Sequence, residues 1–113
     1  MRYNKYGAKK TVLDGIKFDS IAESRYYSEL KLRKRAGDIE DFELQPEFEL
    51  QEKYRDTDGK MIRAIKYKAD FLVHHKGLEE IVDVKGIQTP VFKLKWKLLK
   101  HKYGGRYKFT IAK

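Results

Sequence analysis

Asp70, Asp83 and Lys85 are the residues of this chain whose types and spacing could do chemistry. They fall within Ile65–Gly86, IKYKADFLVHHKGLEEIVDVKG, two apolar-rich runs joined at Lys76–Gly77. In the first run Ile65, Tyr67, Ala69, Phe71 and Val73 alternate with Lys66, Lys68, Asp70, Leu72 and His74, the period of a β-strand. In the second, Val82 and Val84 point one way while Ile81, Asp83 and Lys85 point the other. Asp83 and Lys85 are thus neighbours on one face, with Cα atoms roughly 6.5 Å apart at ~3.3 Å per residue. The short turn predicts antiparallel pairing, which brings Asp70 beside Asp83 in the matching register. Asp is depleted in strands, and two like charges buried together are costly unless a cation or a proton compensates. A divalent cation meets that need, since Mg²⁺ takes one or two carboxylates together with waters and phosphate oxygens. Lys85 then stands where it can act on an attacking water or on a phosphate. By spacing alone, a solvated Asp–Lys face is the plainer alternative.

Ala69-Asp70, twelve residues, then Asp83-Val84-Lys85 resembles the signature of the PD-(D/E)xK nuclease superfamily, with Ala69 in place of its proline. The likeness is greatest to its small phage and prophage endonucleases of the Holliday junction resolvase type. It implies an α/β (α+β) fold with a restriction-endonuclease-like core: helix, three antiparallel strands, helix, strand, forming a mixed central sheet with helices on its faces. It also implies a Mg²⁺- or Mn²⁺-dependent endonuclease of DNA, its metal held by Asp70, Asp83 and the carbonyl oxygen of Val84. Lys85 would orient or help deprotonate the attacking water. Branched or four-way DNA is the implied substrate, and a duplex cut needs two sites, so a homodimer is expected.

So short a string requires the surrounding elements to agree. Thr11–Leu13 and Ile16–Phe18 flank Asp14-Gly15, a strong signal for a β-hairpin. Ser20 as N-cap, Glu23 three residues on and Gly37 at the far end predict a helix over roughly 21–36. Tyr26, Tyr27 and Leu30 follow Glu23 at helical spacing, so Glu23 lies on the stripe that should face the sheet. A capping box would explain Glu23. The resemblance offers more, a third acidic group of the site. Arg25 projects elsewhere, toward solvent or phosphate.

Phe42, Leu44, Phe48 and Leu50 keep period two across Pro46, which predicts a strand around Glu47–Lys53 with a solvated acidic outer face. A turn at Arg55–Lys60 leads into one long strand bearing Asp70. Beyond Gly86, Thr89 and Pro90 open a second helix that runs to Tyr103 and stops at Gly104-Gly105. Phe92, Trp96, Leu99 and Tyr103 form one apolar stripe on it, and Val91, Leu94 and Leu98 another, suited to the hairpin or a second subunit. Lys93, Lys97 and Lys100 form a basic ridge between them. Tyr107, Phe109 and Ile111 alternate in a final strand over Arg106–Ala112. The order agrees with the nuclease core from Ser20 onward.

Composition sets the outer bounds. The 113 residues make one domain, residues 1–10 being a basic arm. A formal charge of +9 points to a polyanionic partner. Residues 38–58 carry nine acids and two bases, a local −7 that leaves +16 on the rest. That segregation suits a cationic face with Lys5, Lys9, Lys10, Arg25, Lys68, Lys93, Lys97 and Lys100 as phosphate contacts. No apolar run approaches the ~20 residues of a membrane span, and the lack of cysteine fits a reducing compartment such as the cytoplasm. No H-x-x-x-H, nucleophile elbow or glycine-rich phosphate loop appears, which disfavours zinc chemistry, serine-type hydrolysis and a nucleotide cofactor. The rival from another class is a catalytically inert nucleic-acid-binding protein, or a subunit of a larger DNA-processing complex.

Overall fold

The Asp-Gly pair turns the chain as expected. In the computed structural model, which describes residues 10–113, β1 (Thr11–Leu13) pairs antiparallel with β2 (Ile16–Phe18). Asp14 and Gly15 both take positive φ, 53° and 75°, the geometry that matches the twist of a tight hairpin. Helix α1 (Ile21–Ala36) then starts where Ser20 Oγ accepts the backbone N–H of Glu23 at 3.0 Å. It ends at Gly37, whose φ of 83° lets its own N–H and that of Asp38 close back on Lys34 and Arg33. The buried face of α1 carries Glu23, Ser24, Tyr27 and Leu30.

The middle of the chain is strand-rich: β3 (Asp41–Leu44), β4 (Glu47–Gln51), β5 (Tyr54–Arg55), β6 (Met61–Ile62), β7 (Ile65–Lys68), β8 (Phe71–His75) and β9 (Leu78–Val84). Helix α2 (Pro90–Tyr103) and β10 (Lys108–Ala112) complete it. The principal sheet has the order β10-β9-β8-β3; β10 runs parallel to β9, and the other two pairings are antiparallel. The β4–β7 and β5–β6 pairs form separate ladders, and Phe48 of β4 and Tyr67 of β7 join the core on the α2 side. The fold is mixed α+β. Phe71, Val73 and Val82 pack with Tyr27 and Leu30 of α1, whereas Leu72 and Ile81 pack with Phe92, Trp96 and Leu99 of α2. Consecutive residues thus bury opposite faces, and the helices cover the sheet on both sides.

Four expectations need correction. The long Asp70 strand is two strands, because the chain bends at Ala69–Asp70 between β7 and β8. Tyr67 and Ala69 belong to the α2 side but Phe71 and Val73 to the α1 side, so the single stripe Ile65–Val73 does not exist; Ile65 itself is exposed. The bend is matched across the ladder by the break between β3 and β4, where Gln45 takes a left-handed φ of 50° just before Pro46 and the two breaks exchange hydrogen bonds. Such a turn in a non-glycine residue costs on the order of 1–2 kcal/mol, and both ladders break at one level. Second, the predicted strand 47–53 stops at Gln51, and a further strand, β3, precedes it. Third, the last strand begins at Lys108, two residues late. Fourth, the hairpin packs on α1 through Phe18 and leaves Val91, Leu94 and Leu98 exposed.

Candidate active site

The bend positions Asp70 by four hydrogen bonds around one peptide. Ala69 N–H donates to Pro46 O, Gln45 N–H to Asp70 O, and Asp70 N–H to Val82 O. The fourth runs from Val84 N–H to Asp70 Oδ2, at 2.6 Å. That last bond turns the Asp70 side chain onto β9, where Asp83 is the next residue toward the hairpin turn. Asp83 is 1% exposed and receives the hydroxyl hydrogen bond of Tyr67, itself buried on the α2 side. Its other oxygen, Oδ1, is buried with no hydrogen-bond partner among the described residues. Lys85 Nζ lies 3.5 Å from that oxygen and 5.1 Å from the centre of the Phe92 ring. The strand period expected for Asp83 and Lys85 is therefore correct.

Glu23 joins them from α1. It is 4% exposed; Ser20 Oγ accepts its backbone N–H, and its buried carboxyl is shared between the backbone at Asp19 and the Asp70 side chain. Glu23 and Asp70 lie within hydrogen-bonding reach of one another when one holds a proton, as do Asp70 and Asp83. Burial pushes the Asp70 carboxyl up to about 7, and the Glu23 charge adds to the effect. Burial and then the Asp70 charge push Asp83 up to about 7 as well. Glu23 is raised too, chiefly by burial. Three acids crowd a site holding one lysine.

The donor set suits a hard divalent cation: buried carboxylate oxygens, one of them unpartnered, and a nearby backbone carbonyl at Val84. Among the described residues no three His, Cys, Asp or Glu side chains converge as a ready-made metal cluster. Any cation held here would complete its shell with Val84 O, waters and substrate oxygens. Asp70, Asp83 and Val84 are the residues that would hold it, with Glu23 beside them.

The basic residues separate into groups. Lys93, Lys97 and Lys100 are exposed along α2 and border a cavity of about 290 Å³ with Gln88, Phe92 and Trp96. Arg25 is exposed on α1, Lys68 is exposed at the end of β7, and Lys10 is exposed just before β1. Lys5 and Lys9 lie outside the described residues. Tyr67 is the site residue that reading the sequence passed over. Its signal was present, because alternation from Ala69 put it on an inner face two residues before the bend. A larger cleft lies at the opposite end of the sheet, lined by His74, His75, Glu40 and Arg106 among others, and has no part in this cluster.

A mixed sheet covered by helices, with buried acids and a lysine at a strand bend, defines this as an α+β domain with a candidate acidic active site. The chain belongs to the family described as "Protein of unknown function (DUF1064)", which it matches over residues 3–112. No curated protein and no solved structure matches it. No helix among the described residues is long and apolar enough to cross a membrane.

Proposed function

We propose that this protein is a metal-dependent DNA endonuclease with a restriction-endonuclease-like core of the PD-(D/E)xK type. The observation that carries the reading is the orphaned, buried Oδ1 of Asp83 beside Lys85. The Lys85 ammonium 3.5 Å from that oxygen also serves Asp70, so two buried carboxylates share one nearby positive charge, a cost that a bound cation would relieve. Asp70, Asp83 and the Val84 carbonyl hold Mg²⁺ or Mn²⁺, with Glu23 as a further acidic group. A bound divalent cation supplies charge stabilisation at the phosphorus undergoing attack. Asp70 and Asp83 must give up their protons to hold it, which carboxyls near 7 do readily at neutral pH. Lys85, anchored by Asp83 and the Phe92 ring, points its ammonium at the water or the phosphate oxygen. Tyr67 holds Asp83 in one rotamer. The cationic flank of α2 supplies phosphate contacts, and a duplex cut calls for a homodimer working in the cytoplasm, on branched DNA by resemblance.

One observation favours the rival, an inert DNA-binding protein: the described residues hold no ready-made three-ligand cluster. The two readings part on a single test. Supercoiled plasmid and a synthetic four-way junction are incubated with and without Mg²⁺ or Mn²⁺, beside Asp83→Ala. Metal-dependent cutting reduced at least about a hundredfold in the variant, with DNA binding retained, is the expected outcome. Binding without cutting, or cutting undiminished in Asp83→Ala, overturns the nuclease.

A further inference from the structure

The cavity on α2 has a chemistry of its own. Its floor is the small part that the Phe92–Trp96 pair leaves open, the ring centres lying 5.6 Å apart with planes inclined by 29° and each residue more than nine-tenths buried. Lys93, Lys97 and Lys100 stand around it, and no acidic residue lines it. At one end Gln88 presents a carboxamide, which both donates and accepts hydrogen bonds. The same Phe92 ring carries Lys85 Nζ 5.1 Å from its centre, so one ring is shared by the cavity and the acidic site. An apolar aromatic floor, a cationic rim and one bifunctional amide are what a nucleobase and its flanking phosphates require. Bases inside a duplex are stacked on their neighbours and cannot enter; an unpaired or extruded base can.

We infer that this cavity receives a single unpaired nucleotide of the bound DNA strand, with its base on the Phe92–Trp96 floor and its phosphates on Lys93, Lys97 and Lys100. The placement of that strand next to Lys85 rests on the nuclease reading; the cavity's own chemistry does not. The consequence is a preference for flaps, loops or junction centres over continuous duplex.

Trp96 is the single tryptophan of the chain and lines this cavity, so its emission can report on it, with Gln88 and Lys97 variants separating the cavity from the rest of the core. The protein is titrated, with EDTA present, with a single-stranded deoxythymidine oligonucleotide and with a blunt hairpin duplex. The single strand is expected to change Trp96 emission and the duplex to leave it unaltered. Gln88→Ala should weaken that response about fivefold at an unchanged salt dependence. Lys97→Ala should lower the slope of log affinity against log salt by about 0.7. Silent Trp96 emission, an equal response to duplex, or wild-type behaviour in both variants overturns the inference. Metal-dependent cleavage with Trp96 silent sinks the cavity and spares the nuclease. A Trp96 response without cleavage upholds the cavity and sinks the nuclease.

Discussion

The two ends of the β8–β9 hairpin treat buried acids in opposite ways. At the turn end, Glu80 is 6% exposed, yet its carboxylate is held by His75 Nε2 at 2.7 Å and by the Thr110 hydroxyl. Burial would raise that carboxyl, but the hydrogen bonds from Thr110 and His75 outweigh it and the group stays below its ordinary value. His74 is likewise bracketed, with Nε2 on Glu43 at 2.6 Å and Nδ1 on Glu79 at 2.7 Å. At the open end, Asp83 is buried more deeply and keeps an oxygen without a hydrogen-bond partner among the described residues. The turn end satisfies the Glu80 carboxylate through His75 and Thr110, whereas at the open end Asp70 and Asp83 share the single ammonium of Lys85 and one Asp83 oxygen has no hydrogen-bond partner among the described residues. Cross-strand pairing is used for stability at one end. At the other, the buried acids are less fully paired, which is what the proposed cation site requires.

This contrast can be broken most sharply at Asp83. Its folded value lies above the unfolded 3.8, so its favourable contribution is complete below that value and is lost as pH rises through about 7. Asp83→Asn should therefore stabilise the protein at pH 8 by on the order of 2–4 kcal/mol, with the gain fading toward pH 4. Urea unfolding at both pH values measures it. Mg²⁺ should raise the melting temperature of the wild type at pH 8 and leave Asp83→Asn unmoved; a destabilised variant at pH 8 would end the comparison.

Glu80→Ala should have the opposite sign. It strips Thr110 and His75 of their acceptor, a loss of ~1–3 kcal/mol by chemical denaturation at neutral pH. A neutral result would mean that the turn end is no better satisfied than the open end.

His74→Ala gives the smallest effect. Burial would lower the imidazole, but Glu43 and Glu79 raise it above 6.5 on balance. Its pairing thus contributes fully below pH 6.5 and disappears as pH climbs through the raised value. With the ring partly exposed, the cost of the variant should stay below about 1 kcal/mol at pH 5.5 and vanish near pH 9. A cost independent of pH would assign His74 to packing instead.

Much of this fold was legible because its signals are local. Asp14-Gly15, Ser20 with Gly37, and Thr89-Pro90 with Gly104 bound their elements through backbone preferences that need no partner, and both helices fall where those residues place them. Alternation along β9 likewise put Asp83 and Lys85 on one face. The bend at Asp70 was not legible, since it is matched to the break at Gln45 and Pro46, more than twenty residues away between β3 and β4. Period two in 65–73 describes the strand that this segment would form alone.

What the sequence by itself determined is which acids and which lysine could share a face, and which helices would flank them. Spacing along one strand or one helix turn is a property of the chain. Only the tertiary structure decided that Glu23 turns in from α1, that Tyr67 holds one oxygen of Asp83, and that the other oxygen has no hydrogen bond among the described residues. Burial, desolvation and the count of hydrogen-bond partners are sums over elements distant in sequence, and they take values only when those elements pack.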